Sequence, residues 1–427
     1  MGLGASAPAI PGIPNLGLTC YINAVVQSLA ACPRFVQYVC RKSIPIDKVS
    51  IIKRVYLARG DEYMLGLNTM HLHHKFMKRF SQLIALLSPG SDPNKLHKVS
   101  IKPFVDAVKL CFEKRNAMPF ELNDQQDPHE FIQLIFEILE QRFSFELILG
   151  NVHGLTSDRN TCIENPFRLK LIDERKCNTC GVSSTHSSGT TMSNSVDQYC
   201  QISISPMSRK FQAPTSTSLK NMHRSSRSLR SCLDEFFEAE NVENFKCGSW
   251  FCKSISANLP HFSAPMTKKI SLKGYPNILC IHIKRQQFDA TIQSVKKDTS
   301  HILFDKKMTL ESDWVCNSSN SYEKPVYTLQ AVVVHHDLCL GLGHYTSYRR
   351  VSNPFQTCND SSGENREKWL LADDESVRSA EWSEVQSCEA YMLFYEKKRD
   401  DEEDSFITPT DCLPLKNRRI NDEKLFK

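Results

Sequence analysis

The sequence has no apolar run of ~18 residues and no N-terminal signal that combines basic and hydrophobic residues. A helix that spans a membrane is therefore excluded, and secretion is disfavoured. An excess of one charge is also missing, since 53 Lys and Arg against 48 Asp and Glu leave a net charge of +5 on 427 residues. The basic residues are scattered, so neither nucleic acid nor an anionic membrane is an expected partner. We expect a protein of the cytoplasm, the nucleus or both.

Cysteine, in contrast, is abundant, with 17 residues, while 41% of the chain is hydrophobic and 24% is charged. This composition is that of a globular protein with one large core or two modest ones. In a reducing compartment, paired cysteines in a C-x-x-C spacing indicate a metal site, and a single cysteine in a distinctive motif indicates a nucleophile. No internal repeat is visible beyond two pairs of closely spaced cysteines.

The segment from Gly12 to Leu29, GIPNLGLTCYINAVVQSL, places Cys20 where a polar turn becomes an amphipathic helix. Asn15 and Gly17 indicate the turn, Thr19 is the predicted N-cap, and apolar residues then recur at the spacing of one helical face. Cys20 would therefore lie at the positive end of the helix, which favours the reactive thiolate over the thiol. A buried structural cysteine is the alternative.

Candidate partners of Cys20 follow far downstream. Two predicted strands, 326–334 and 345–351, flank a polar, glycine-containing hairpin that ends at His344, and Asp373 and Asp374 follow a third hydrophobic stretch. A thiol, an imidazole and a carboxylate can serve as nucleophile, general base and the group that orients the base.

These two regions resemble the Cys box and the His box of the ubiquitin-specific proteases, papain-like cysteine peptidases that cleave after the C-terminal glycine of ubiquitin. The resemblance implies that Cys20 is the nucleophile, His344 the base, Asp373 the third member of the triad and Asn15 a donor to the oxyanion. The matching residues of the two boxes are Gly12, Asn15, Gly17, Thr19, Cys20, Tyr21, Asn23 and Gln27, and Tyr327, Leu329, Ala331, Val332, Gly343, His344, Tyr345, Tyr348, Trp369, Asp373 and Asp374.

A third stretch, QQDPHEF at 125–131, resembles another box of the family. From the residues alone it predicts a helix start, with Asp127 as the cap and Pro128 in the first helical position. In the family this box lines the channel that receives the basic tail of ubiquitin. The resemblance therefore implies that Asp127 and Gln126 contact the substrate. The segment PNILCIHIKR resembles a buried strand of the family, and we interpret its His282 as a core residue.

Two cysteine pairs, Cys177 with Cys180 and Cys247 with Cys252, predict a structural Zn²⁺ site with four thiolate ligands. The second pair departs from the family because four residues separate its cysteines instead of two, a spacing that zinc tolerates. A degenerate finger without metal is the alternative. No basic stripe with interleaved aromatic residues accompanies the cysteines, so nucleic-acid binding is not expected.

The resemblance implies an α+β, papain-like cysteine peptidase fold with a helical thumb, a palm and β-rich zinc-ribbon fingers. We expect an extension at 1–11, a catalytic domain at 12–396 that starts almost at the N-terminus, and a charged tail at 397–427. The fingers are expected at about 166–255, with a loose insertion at 183–226 that is rich in Ser, Thr, Met and Asn.

The first six residues match the M-G-x-x-x-[ST] pattern for myristoylation of Gly2. One acyl chain gives marginal membrane binding, and no basic residue precedes Arg34. A membrane partner is therefore predicted only if Gly2 is acylated.

The resulting hypothesis is a thiol-dependent deubiquitinase that acts on ubiquitin and ubiquitinated proteins and needs no cofactor for catalysis. Two alternatives stay open at this point: a catalytically silent ubiquitin-binding scaffold, and an isopeptidase for another ubiquitin-like modifier.

Overall fold

The computed structural model describes residues 10–40, 64–88, 101–116, 126–152, 165–183, 196–206, 227–259, 262–289, 293–316, 324–336, 343–351 and 368–398. The predictions for Gly2 and for nearly all of the tail lie outside these residues, as does most of the predicted insertion.

Helices dominate the N-terminal part of the described chain, as the sequence predicted for the thumb. In chain order the helices are α1 (Cys20–Leu29), α2 (Pro33–Cys40), α3 (Met64–Leu87), α4 (Lys102–Asn116), α5 (Pro128–Val152), α6 (Leu229–Phe237), α7 (Trp250–Asn258) and α8 (Trp382–Ser387).

Strands dominate from residue 169 onward. They are β1 (Leu169–Cys177), β2 (Val196–Tyr199), β3 (Ile202–Ile204), β4 (Arg227–Ser228), β5 (Glu240–Phe245), β6 (Ala264–Leu272), β7 (Ile278–Ile283), β8 (Gln286–Asp289), β9 (Ser294–Lys297), β10 (Ile302–Leu303), β11 (Lys307–Thr309), β12 (Val326–His336), β13 (His344–Val351), β14 (Lys368–Asp373), β15 (Ser376–Ala380) and β16 (Ala390–Lys397). The predicted α+β class is confirmed.

The central sheet has eight strands in the order β15-β14-β13-β12-β16-β7-β3, with β11 added at β12. Its neighbours are antiparallel except for the parallel pair β3 and β7. Both faces of this sheet are covered, so its inner strands are continuous apolar runs and not alternating ones. All six residues of β7 are buried.

Successive residues of the central strands contribute to two different cores. Ala331 and Val333 of β12 point toward the thumb helices, together with the apolar faces of α1, α4 and α5. Val332 and Val334 join the opposite core with α6 and Trp314. Because α1 packs across β12 and β13, the start of this helix is brought to the edge where β13 begins. That junction positions the candidate active site.

A second, four-stranded antiparallel sheet has the order β2-β1-β6-β5. Its longest antiparallel pair is β1 with β6, which are far apart in the sequence. Their register runs from Leu171 opposite Leu272 to Cys177 opposite Met266. The sheet extends to Leu272, because β6 supplies the main partner of β1. Within the described residues, no helix is both long enough and apolar enough to cross a membrane.

Candidate active site

The turn before α1 is held by hydrogen bonds among its own polar side chains. Asn15 Oδ1 accepts from the backbone N–H of Thr19 at 3.1 Å and from its hydroxyl at 3.1 Å, while Leu16 N–H donates to Thr19 Oγ1 at 3.0 Å. Gly17 has a φ of 113°, a conformation that favours glycine. Thr19 occupies the predicted N-cap position, but its hydroxyl does not cap the helix. It closes the turn instead, so the α1 N-terminus is not occupied by this side chain.

Cys20 is the first residue of α1 and is 2% exposed. Its hydrogen bond with the imidazole of His344, the first residue of β13, is the largest cause that raises the pKa of His344 to about 9. Burial opposes this shift, and the hydrogen bond with Asp373 adds to it. The raised pKa favours the protonated form of the His344 ring.

Asp373, the last residue of β14, holds the other side of the imidazole. His344 Nε2 donates to Asp373 Oδ1 at 2.6 Å, so the remaining ring nitrogen is the one available to the thiol. Both side chains are accessible, with exposed fractions of 40% for His344 and 47% for Asp373. The three residues singled out in the sequence therefore lie together, with Cys20 buried and the side chains of His344 and Asp373 accessible.

Asp374 links the two ends of the Cys box, a role that the sequence did not reveal. Its carboxylate accepts from Asn15 Nδ2 at 2.7 Å and from Asn23 Nδ2 at 2.7 Å, and its carbonyl accepts from Ile13 N–H at 2.7 Å. Asp374 has a φ of 48° in the two-residue turn between β14 and β15. Both asparagines belong to the Cys-box pattern, which was the only signal for this contact. One Asn15 N–H bonds Asp374, and the second hydrogen of that amide stays available.

The structure gives a reason for Gly12, the first glycine of the Cys box. A Cβ at this position would lie 2.2 Å from the carbonyl oxygen of Glu375 and 2.6 Å from that of Asp374. The backbone of the box crosses the β14–β15 turn at this point, and only glycine permits so close an approach.

The other end of α1 is fastened to β13 by a buried arginine. Arg349 is 0% exposed and donates to Gln27 Oε1 at 2.6 Å and to the Ala30 carbonyl at 3.1 Å. Burial lowers the pKa of Arg349 to about 10. Next to it, the hydroxyls of Ser28 and Ser347 are 2.7 Å apart. Gln27 was identified only as a motif residue, and the structure gives it a structural partner.

The predicted substrate residues lie at the start of α5. Asp127 caps this helix as predicted, because its Oδ1 accepts from the His129 backbone N–H at 2.6 Å. The Tyr391 hydroxyl donates to the same carboxylate, at 2.8 Å from Oδ1 and 2.7 Å from Oδ2. Gln126 precedes it and is half-buried. His282 is buried and stacks on His129, so it is a core residue as predicted.

The four cysteines of the predicted metal site come together at the end of the four-stranded sheet. Cys177 Sγ lies 3.8 Å from Cys252 Sγ, and Cys180 Sγ lies 3.7 Å from Cys247 Sγ. All four sulfur atoms are within 4.8 Å of one another. The longer second spacing is accommodated because the α7 helix begins between its two cysteines. This cluster could hold a metal ion.

A thiol at a helix start, beside an imidazole that an aspartate orients, is the arrangement of a cysteine peptidase. Comparison with known families identifies the family of cysteine peptidases to which the chain belongs. The family profile described as "Ubiquitin carboxyl-terminal hydrolase" matches residues 11–395. The chain belongs to the ubiquitin carboxyl-terminal hydrolase family and is a cysteine-type deubiquitinating peptidase.

Named relatives agree with this assignment. The chain is 28% identical over 407 residues to human "Ubiquitin carboxyl-terminal hydrolase 3", a match that spans 90% of this chain and 67% of that protein. It is 25% identical over 405 residues to mouse "Ubiquitin carboxyl-terminal hydrolase 27", spanning 91% and 78%.

Among solved structures, the chain is similar to one from the "SAGA Ubp8/Sgf11/Sus1/Sgf73 DUB module bound to ubiquitin aldehyde". The TM-score is 0.59 at 17% identity, and the match spans 93% of this chain and 72% of that chain. At this identity the similarity establishes the fold, and the predicted fold family is confirmed.

Proposed function

We propose that Cys20, His344 and Asp373 form the catalytic triad of this deubiquitinase and that Asn15 serves the oxyanion. The observation that carries the proposal is the hydrogen-bonded chain from Cys20 through His344 to Asp373. In the first step the Cys20 thiolate attacks the carbonyl carbon of the terminal glycine of ubiquitin. His344 then transfers its proton to the leaving amine, and the C–N bond breaks to leave a thioester on Cys20.

The second step returns the enzyme to its starting state. His344, now neutral, takes a proton from a water molecule, whose oxygen attacks the thioester carbonyl. The C–S bond breaks, ubiquitin leaves as a carboxylic acid that releases its proton to solvent, and Cys20 and His344 recover the ion pair. Asp373 holds the imidazole in one orientation through both steps.

The second N–H of the Asn15 side chain supports a role as oxyanion donor. Because Oδ1 accepts two bonds from Thr19 and one N–H bonds Asp374, the amide has one fixed orientation. A preoriented donor of this kind is worth roughly 2.7–4 kcal/mol in comparable sites. Asn15→Ala is expected to lower kcat by about 100- to 1000-fold and to leave KM nearly unchanged.

We also propose ubiquitin as the partner, with its basic tail entering beside Asp127 and Gln126. A ubiquitin probe with a C-terminal electrophile should label the wild type, whereas Cys20→Ala should stay unlabelled. Parallel probes built on other ubiquitin-like modifiers give the comparison. Preferential labelling by another modifier would contradict the choice of ubiquitin, and labelling of Cys20→Ala would contradict the nucleophile.

For the cysteine cluster we propose Zn²⁺ in a structural role. Thiolates at ~2.3 Å from a tetrahedral zinc ion are about 3.8 Å apart, which matches the two short sulfur distances of 3.7 and 3.8 Å. Ser249 supports the cluster, since its hydroxyl donates to Cys180 Sγ at 3.3 Å and caps α7. Native mass spectrometry should find one zinc per chain in the wild type and none in Cys252→Ser. Wild-type protein without zinc would contradict the proposal.

We keep the cytoplasm or the nucleus as the predicted compartment. The domain boundaries, including that of the charged tail, also stay predictions. So does the acylation of Gly2.

A further inference from the structure

The carboxylate of Asp127 is held between the two halves of the catalytic domain. On the thumb side it accepts from the His129 backbone N–H at 2.6 Å, at the start of α5. On the palm side the hydroxyl of Tyr391, from β16, reaches both carboxylate oxygens at 2.8 and 2.7 Å. Within the part of the chain that the structure describes, no lysine or arginine forms an ion pair with Asp127. Asp127 is only half-buried.

Tyr391 is suited to the task of a fixed donor. It is 2% exposed, and burial together with the charge of Asp127 holds its pKa well above the ordinary range, so the hydroxyl keeps its proton. Its ring packs 6.0 Å from that of Tyr345, the neighbour of His344, and edge-on against His282 at 5.0 Å. The ring is therefore packed on two sides by other aromatic rings.

The backbone of the helix start is fixed just as firmly. The His129 ring stacks on His282 with centroids 4.0 Å apart, and the amide of Gln201 donates to His129 Nε2 at 2.6 Å. His282 is in turn hydrogen-bonded to Ser203 at 3.1 Å. These contacts attach the N-terminus of α5 to β7 and to the start of β3, so the backbone beside Asp127 is held against the palm.

A carboxylate offers about four acceptor positions, and the His129 N–H and the shared Tyr391 O–H use only part of them. Because Asp127 is only half-buried, a cationic group of the substrate could reach this carboxylate without an ion pair inside the described chain to displace. We propose that Tyr391 is a positioning residue that aims the Asp127 carboxylate at a basic side chain of the substrate's C-terminal tail. Tyr391 thereby determines specificity for a basic tail. This inference rests on the proposed function of the site.

The test compares Tyr391→Phe with the wild type on two fluorogenic ubiquitin substrates, one with the natural tail and one with its arginines replaced by leucine. On the natural tail, Tyr391→Phe should raise KM by roughly 3- to 10-fold and leave kcat within about twofold. On the leucine tail, the two enzymes should have the same KM, because the cation that the carboxylate meets is gone.

Tyr395→Phe provides the matched control. Tyr395 lies on the same strand, is fully buried and donates its hydroxyl to the Asp305 carbonyl at 2.7 Å. This variant removes a similar buried hydrogen bond away from Asp127, so KM on both tails should equal that of the wild type. Melting curves of the two variants show whether each is folded.

The inference is overturned if Tyr391→Phe loses the same factor on both tails, or if kcat falls while KM stays constant. Either result would assign Tyr391 a purely structural role. Failure of the proposed function looks different, because the wild type itself would then turn over neither substrate.

Discussion

The buried contact between Gln27 and Arg349 leads to a prediction about stability. Replacing Gln27 by leucine keeps the size of the side chain and the helical propensity of α1, but it removes the acceptor of the 2.6 Å bond from Arg349 Nη1. It also removes the bond from Gln27 Nε2 to the Pro11 carbonyl at 3.0 Å. Both partners are shielded from solvent, since Gln27 is 1% and Arg349 0% exposed. Water therefore cannot replace the lost acceptor.

A hydrogen bond to a charged group contributes about 1.5–3 kcal/mol, and an unpaired buried charge costs about 3–5 kcal/mol. Arg349 keeps its bond to the Ala30 carbonyl, so we expect Gln27→Leu to lower the free energy of unfolding by about 2–4 kcal/mol. At about 2.1 cal/mol/K per residue, a chain of 427 residues has an unfolding entropy near 0.9 kcal/mol/K. The melting temperature should fall by roughly 2–4 °C.

The assay is a double-mutant cycle with Gln27→Leu, Arg349→Met and the pair, followed by urea denaturation and by melting temperature. Because both polar partners become apolar in the pair, the double mutant should be more stable than the sum of the two single effects predicts. Additive effects, or a Gln27→Leu variant within about 0.5 kcal/mol of the wild type, would refute this account of the contact.

Three further predictions concern pH and close packing. In the proposed mechanism the imidazolium of His344 donates the proton to the leaving group, so kcat/KM should fall as the pH rises through about 9. In Cys20→Ala an NMR titration should find a lower pKa for His344, and an unchanged value would contradict the assigned cause of the shift. Gly12→Ala should slow probe labelling and cost about 1–3 kcal/mol of stability, because its Cβ would overlap the Glu375 carbonyl. Labelling and a melting temperature equal to those of the wild type would contradict this prediction. Burial and the neighbouring imidazole of His129 lower the pKa of His282 well below 6.5. Below about pH 6.5 this histidine is therefore protonated in the unfolded chain and neutral in the folded one. Stability should therefore fall as the pH drops below about 6.5, and a His282→Gln variant with the same slope would contradict this origin.

Much of the local structure could be predicted from the sequence because the signals are local. Apolar spacing predicted α1, and Asp127 followed by Pro128 predicted the start of α5. The strands β12 and β13 lie where two strands were predicted, and β7 lies within the segment that resembles a buried strand of the family. The cap of α1 was the exception, since the Thr19 hydroxyl bonds within the preceding turn. A propensity cannot distinguish two acceptors that are both within reach of one short side chain.

The candidate site was predicted as a set of residue types, and its geometry required the folded chain. Motif order identified Cys20, His344 and Asp373. It did not reveal that Asn15 donates a hydrogen bond to Asp374, which is 359 positions away in the sequence. The partner of Asp127 was equally hidden, because Tyr391 is 264 positions away and is, by pattern, one more aromatic residue of a buried strand.

The amino-acid sequence by itself determined the chemistry that is available here: a thiol at a helix start, an imidazole at a strand edge, and four cysteines in two pairs. Local spacing encodes these features, since caps, turns and apolar periods involve residues only a few positions apart. The tertiary structure decided which of these groups meet. Packing α1 across β12 and β13 is a long-range event, and only that packing selects one partner for each polar side chain that is removed from water.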